Sequence, residues 1–238
     1  MHNKGLAEEL PPLTPHEAII ESNRCLYCYD APCTHACPTH IDIPRFIKKI
    51  STGNVTGSAN AIFESNLLGA TCARVCPVQE LCEGACVLGK DHKPISIGRL
   101  QRYAMDAAYD KGTTPAVRGK SGKKVAVVGA GPAGLSCAGE LARQGHSVTI
   151  FEKRSLAGGL STYGIISLRE PIEASLREVR LGLATKQSLR FIILIFLIGI
   201  AIFDLLRFAS KFTPPLICLD SSTLNLHSTI RMSLRLHC

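Results

Sequence analysis

Eight of the eleven cysteines of this 238-residue chain fall between Cys25 and Cys86, in two sets of four. The first set is Cys25, Cys28, Cys33 and Cys37, with Pro38 directly after it. The second is Cys72, Cys76, Cys82 and Cys86, with Pro77 directly after Cys76. Thiolates at short, regular spacings with a proline behind one of them are the ligand pattern of iron–sulfur clusters, which move single electrons. Structural zinc prefers paired C-x2-C knuckles, and here the Cys25–Cys28 pair alone has that spacing. A disulfide framework belongs to short secreted chains, whereas Met1 to Glu9 is polar with no apolar signal segment. The spacing therefore points to redox machinery. Cys137, Cys218 and Cys238 stand apart; Cys137 reads as a small buried apolar residue on a helix, and the other two have no partner spacing.

A second constellation follows the cysteines. The apolar run Lys124 to Val128 suits a buried parallel strand, and Gly129, Gly131 and Gly134 follow it directly. Leu135, Ala138, Leu141 and Ala142 then recur at helical spacing up to Gly145. Ser147 to Phe151 is a second strand, with Glu152 at its end. This is the strand–turn–helix–strand setting in which glycine-rich turns hold dinucleotides. Gly129 permits the tight turn out of the strand, Gly131 lets the backbone approach a pyrophosphate, and Gly134 lets the helix pack close to the strand. The helix N-terminus offers free N–H groups to the phosphates, and Glu152 is placed to accept hydrogen bonds from ribose hydroxyls. These glycines do not by themselves separate FAD from NAD.

The elements that must position these residues are legible in outline. Residues 16–110 read as short helices separated by cysteine-bearing loops. Asp42 caps a helix that has Pro44 in its first turn and runs through Ile47 and Ile50 to a stop at Gly53. A second helix is predicted from Val55 to Leu68, ending at Gly69. A third starts at the N-cap Ser96, buries Ile97, Leu100, Tyr103, Ala104 and Ala107 on one face, and ends at Gly112. Residues 112–123 are a linker by composition. His35 and His40 flank the first cysteine loop and read as solvated.

The net charge is +8, but residues 184–238 hold six Lys or Arg against two Asp, which is +4 of that excess. No basic run is interleaved with aromatics, so nucleic acid is not an expected partner. Abundant thiols with no visible secretion signal point to a reducing cytoplasm.

Two cysteine sets leading into such a dinucleotide unit resemble the N-terminal part of the flavin- and iron–sulfur-containing subunit of bacterial NAD-dependent dihydropyrimidine dehydrogenases, to which the glutamate synthase small subunit is related. The stretches that carry the resemblance are Arg24 to Pro38, Leu68 to Pro77, Leu81 to Cys86, Pro94 to Gln101 and Val125 to Gly164, within residues 16–183. The resemblance implies an α-helical N-terminal iron–sulfur domain (1–111), a linker (112–123) and a partial α/β Rossmann-type FAD-binding domain (124–183). It implies two 4Fe–4S clusters with interleaved ligands: Cys25, Cys28, Cys33 and Cys86 for one, and Cys37, Cys76, Cys82 and Gln101 for the other. Cys72 is a bystander in that pattern, although simple counting makes it the eighth ligand. Read without the resemblance, Gln101 is an exposed polar residue on the third helix. FAD would meet Gly129, Gly131, Pro132, Ala133, Gly134, Glu152 and Lys153, with Gly158 and Gly159 on the flavin side of the pyrophosphate. Electrons would pass from NAD(P)H through flavin and clusters to a catalytic dihydropyrimidine dehydrogenase subunit, or to a glutamate synthase large subunit.

The likeness stops near Ala184. The family goes on to a second dinucleotide unit for NAD(P)H, whereas the last glycine here is Gly199. The expectation is a shortened product that lacks the NAD(P)H site and is inactive alone, with an unassigned tail over 184–238. A non-catalytic iron–sulfur module is the competing reading. The 13-residue apolar run Phe191 to Phe203 is short for a membrane span, which needs about 20 residues.

Overall fold

The structure, a computed structural model, describes residues 8–182 and the strand at 189–193, all within one compact unit. The helical part begins with α1 (Pro15–Asn23), closed by a capping box in which the Thr14 hydroxyl accepts the Glu17 N–H and the Glu17 carboxylate accepts the Thr14 N–H. The short α2 (Pro32–Ala36) lies inside the first cysteine loop. Helix α3 (Ile43–Ser51) starts as its sequence predicts, with Asp42 Oδ1 accepting the Arg45 N–H at 3.1 Å. Helices α4 (Val55–Phe63), α5 (Gly69–Val75) and α6 (Ile97–Asp110) complete this half, with a 3-10 turn at Val87–Lys90. Phe46, Ile47, Ile50, Ile62, Leu100 and Met105 fill the core, each at most 1% exposed. Each such side chain contributes about 1.5–3 kcal/mol by leaving water.

Two details differ from the sequence expectations, and both bear on the cysteines. Helix α4 stops at Phe63 rather than running to Leu68. Asn66 Oδ1 accepts the Leu68 N–H at 2.9 Å, which turns the chain, and Gly69 then opens a new helix instead of closing the old one. Gly69 is needed there because a Cβ would stand 2.8 Å from Ile62 Cγ2 and 3.1 Å from Met105 Sδ. Ser96 does sit at the N-cap of α6, but its side chain makes no capping bond. Two distant carboxylates do that work: Glu83 Oε1 accepts the Gly98 N–H at 3.0 Å, and Glu21 Oε1 accepts the Ser96 N–H at 2.8 Å. Glu83 lies between Cys82 and Cys86, so the cap also ties the second cysteine segment to α6.

The second half runs β1 (Lys124–Val128), α7 (Pro132–Arg143), β2 (Ser147–Glu152), α8 (Leu160–Tyr163), α9 (Ile172–Gly182) and β3 (Leu189–Ile193). The strands form a parallel sheet in the order β1-β2-β3, with Val127 opposite Ile150 and Ile150 opposite Phe191. Strand β3 takes in Phe191 to Ile193, the start of the apolar run; the rest of that run, Cys218 and Cys238 lie outside the described residues. Leu135, Ala138, Ala142, Val148 and Ile150 form a second, smaller core. Strand β1 is parallel as predicted but not buried: Val128 is 87% exposed. Val127 packs on the core under α7, and alternation turns Ala126 and Val128 to the opposite face, which no described element covers. Cys137 is also exposed rather than buried, because Ala138 takes the inward position on α7.

The linker is not free of the fold. The Arg118 N–H donates to the Arg143 carbonyl and the Ser121 N–H to the Gly145 carbonyl, while Arg143 Nη1 donates to the Phe63 carbonyl at 2.8 Å. Among the described residues no helix is long and apolar enough to cross a membrane. The Gly69 contacts give a direct check: Gly69→Ala is expected to destabilise the chain by about 1–3 kcal/mol through overpacking, read as a lower denaturant midpoint.

Candidate cysteine cavities and dinucleotide turn

Among the described residues, three non-glycine residues have left-handed backbone, and all three lie in or beside the first cysteine loop: Tyr27 (φ 52°), Ala31 (φ 38°) and His40 (φ 51°). Such conformations cost about 1–3 kcal/mol each and persist where the surroundings hold them. Tyr27 shows how. Its hydroxyl donates to the Ser22 carbonyl at 3.1 Å and lies 3.2 Å from Ser51 Oγ, and the Lys48 ammonium sits over its ring. The loop is thereby pinned to α1 and α3 while Cys25 and Cys28, on either side, turn inward. His35 and His40 are exposed.

The cysteines surround two cavities and do not group by sequence set. The first cavity, about 30 Å3, is lined by Cys25, Cys28, Cys33 and Cys86, with Ile43 and Ile47 behind them. The second, about 80 Å3, is lined by Cys37, Cys72, Cys76, Cys82 and Gln101. Cys37 has thus left the first sequence set for the second cavity, and Cys86 has moved the other way. All nine described cysteines are free thiols. No three described His, Cys, Asp or Glu converge tightly enough for one metal ion. Thiols spread around a cavity, each facing inward, suit a multi-iron cluster in which every iron takes its own ligand.

Gln101 is buried, 7% exposed, against the expectation of an exposed position. Its Nε2 donates to the Gly69 carbonyl at 2.8 Å, which leaves Oε1 as the atom available to the cavity. Cys72 lines the same cavity, so both contenders for the eighth position are present.

Burial holds the Cys25, Cys33, Cys72, Cys76 and Cys82 thiols protonated in the metal-free chain. It pushes Cys72 up to about 12, with Cys76 and Cys37 adding to the effect. Cys82 rises to about 12 by burial and by Glu83, Cys76 and Cys37, and Cys33 to about 11 by burial and by Cys25 and Cys86. Neighbouring thiols that disfavour one another's charge are the donor set a cation relieves, since metal binding replaces the protons.

The dinucleotide turn sits in the other half. Gly129 has φ 95°, a left-handed turn that its sequence position anticipates, and its N–H donates to the Phe151 carbonyl. Gly134 allows no side chain, for a Cβ would lie 2.1 Å from the Gly129 carbonyl oxygen. A Cβ on Gly131 would meet nothing within 4 Å, so the space beside the N-terminus of α7 is open. Gly158 and Gly159 close this turn from the side: the Gly158 N–H donates to the Ala130 carbonyl at 2.8 Å, and a Cβ on Gly159 would stand 2.7 Å from Gly131 Cα. Pro132 and Ala133 form the first turn of α7. Glu152 Oε2 accepts the Ala130 N–H at 2.7 Å and Oε1 the Arg154 N–H at 2.9 Å. Burial raises the Glu152 carboxyl, but the N–H groups of Arg154, Ala130 and Lys153 outweigh it and keep the group low and ionised. The Lys153 side chain is exposed. An open, N–H-lined turn flanked by an ionised carboxylate fits a dinucleotide.

Comparison with known proteins agrees with both halves. Residues 2–113 match the family described as dihydropyrimidine dehydrogenase domain II, 4Fe–4S cluster. Residues 127–168 match the NAD(P)-binding Rossmann-like domain. The chain is 46% identical over 167 residues to the NAD-dependent dihydropyrimidine dehydrogenase subunit PreT of Escherichia coli (strain K12), covering 70% of this chain and 40% of that protein. It is 44% identical over 175 residues to the PreT subunit of Salmonella typhimurium, 72% of this chain and 42% of that one. The glutamate synthase [NADPH] small chain of Escherichia coli (strain K12) is 36% identical over 182 residues, 75% of this chain and 39% of that protein. The chain thus spans about 40% of the length of these homologues. Within that length, residues 2–113 resemble a 4Fe–4S domain and residues 127–168 a Rossmann-like NAD(P)-binding domain.

The thiol environments predict an order of reaction. In the metal-free chain at pH 8, iodoacetamide should modify exposed Cys137 well before Cys72 and Cys82, read by peptide mass spectrometry. Equal rates at these three positions would contradict the burial described above.

Proposed function

We propose that this chain carries electrons from a reduced dinucleotide to a partner subunit, holding two 4Fe–4S clusters and one FAD. Cys25, Cys28, Cys33 and Cys86 hold the first cluster; Cys37, Cys76, Cys82 and Gln101 hold the second. The observation that carries the proposal is the exchange of Cys37 and Cys86 between cavities, since each cavity then needs both cysteine segments. A bound flavin would supply the step from hydride to single electrons, and the clusters would supply the onward path. The protein's own work is placement. Helix α3 and the strained loop aim the first ligands, and Glu83 ties the Cys82–Cys86 segment to the helix bearing Gln101. The Gly69 carbonyl orients the Gln101 amide, a neutral donor that binds without losing a proton.

FAD is the occupant we assign to the glycine turn. The N–H groups of α7 take the pyrophosphate beside Gly129, Gly131, Pro132, Ala133 and Gly134. Glu152 receives the ribose hydroxyls with Lys153 at its side, and Gly159 faces the flavin half. The partner is a catalytic dihydropyrimidine dehydrogenase subunit, favoured over a glutamate synthase large subunit by the higher identity to PreT. A reducing cytoplasm suits the free thiols. NAD(P)H oxidation is not assigned to this chain alone.

Anaerobic reconstitution with iron and sulfide tests the cluster assignment. The expected product is brown, with about eight irons per chain. Cys86→Ser should lose about half of the iron, Cys72→Ala should keep all of it, and Gln101→Leu should disturb one cluster. A colourless product, or loss of a cluster in Cys72→Ala with none in Gln101→Leu, would overturn it. Equimolar FAD after denaturation tests the turn.

A further inference from the structure

Two carboxylates are buried where α5, α6 and α9 meet, and neither belongs to the cysteine cavities or the glycine turn. Glu178 on α9 is 1% exposed and takes three donors: the Ala70 N–H at 2.7 Å, the Thr71 N–H at 3.0 Å and the Tyr109 hydroxyl at 3.1 Å. Glu170, just before α9, is also 1% exposed. Its Oε1 accepts the Thr71 hydroxyl at 2.6 Å, while its Oε2 is buried with no hydrogen-bond partner among the described residues. Thr71 therefore bridges the pair, and it directly precedes Cys72 on the helix that leads to Cys76.

We propose that Glu170 and Glu178 form a proton-operated clasp that fastens the cysteine-bearing helix α5 to the nucleotide-binding half. The division of labour follows from donors. Glu178 has three and is suited to carry the negative charge; Glu170 has one donor and one bare oxygen, and a bare buried carboxylate oxygen is far less costly in the neutral acid. Burial raises both carboxyls, and at Glu178 the Thr71, Ala70 and Tyr109 donors oppose it. Burial raises Glu170 from 4.5 to about 7; Glu178 and Glu8 push it the same way, while the Thr71 hydroxyl and Arg74 on α5 oppose them. Tyr109 on α6 donates to Glu178, and Tyr109 in turn feels Asp106 on α6 and Arg177 on α9. Arg74 and Arg177 are themselves engaged, with Asp106 and Asp110. When Glu170 loses its proton, two carboxylates share one dry seam and the clasp weakens. The inference concerns this chain's own side chains and stands whichever dinucleotide the turn holds.

The sign follows from linkage. The closed clasp keeps a proton on Glu170 up to about pH 7, and the opened clasp releases it near 4.5, so closure weakens as pH rises through that window and then levels off. The test is amide hydrogen exchange on the full-length chain, each rate divided by its intrinsic value. Protection at Ala70 and Thr71 should fall by at least about tenfold between roughly pH 5 and pH 7.5. In Glu170→Gln it should stay level and exceed the unsubstituted chain at pH 7.5. A pH-independent protection in the unsubstituted chain, or the same fall in Glu170→Gln, would overturn the clasp. Should Glu170→Gln fail to fold, carbon-13 titration of the unsubstituted chain with assigned resonances decides: the Glu170 carboxyl titrating near neutrality supports the clasp, and its titrating in the ordinary carboxylate range refutes it.

Discussion

The governing constraint is that thiols from two separate segments must be gathered around two cavities and kept out of water. Burial alone makes that arrangement unfavourable for charge, as the raised Cys72, Cys82 and Cys33 thiols show. The Phe46, Ile62, Leu100 and Met105 core supplies the apolar burial that offsets it. The left-handed residues of the first loop show the same trade on the backbone. Local strain is tolerated because Tyr27 is anchored at both ends of its ring.

The carboxylates give this half its precision. Glu21 and Glu83 cap α6, and Glu178 receives the first N–H groups of α5. Helix N-termini attract negative charge, so one acid orders a helix and fastens a distant segment to it at once. Both helices treated in this way face the second cavity, through Cys72 on α5, Cys76 just after it and Gln101 on α6. The nucleotide half enters the same scheme, for Glu178 lies on α9 and packs the seam from outside the helical domain.

Much of the site was legible in the chain itself. Glycines at 129, 131 and 134 between two apolar strands, with Glu152 after the second, need no tertiary information, because the turn, helix and strand are contiguous. The capping box at Thr14 and Glu17 is equally local, as T-x-x-E at the start of α1. Other features were hidden. The stop of α4 depends on an Asn66 side chain, the cap of α6 on Glu21 and Glu83, and the exposure of Val128 on what lies over a sheet face. None has a periodic signature. Cys137 misled because cysteine is usually buried, while its inward neighbour is an alanine.

The order of residues along the chain determined that there are two cysteine sets, a linker and a dinucleotide turn, since each is a local pattern of spacing read within a few turns of backbone. The folded arrangement alone decided which cysteines share a cavity, that Gln101 faces one of them, and that Glu170 and Glu178 meet beneath α5. The hydrogen bonds that Gln101, Glu170 and Glu178 make to α5 span 32 to 108 residues, and burial or pairing at such range depends on packing that no local spacing encodes.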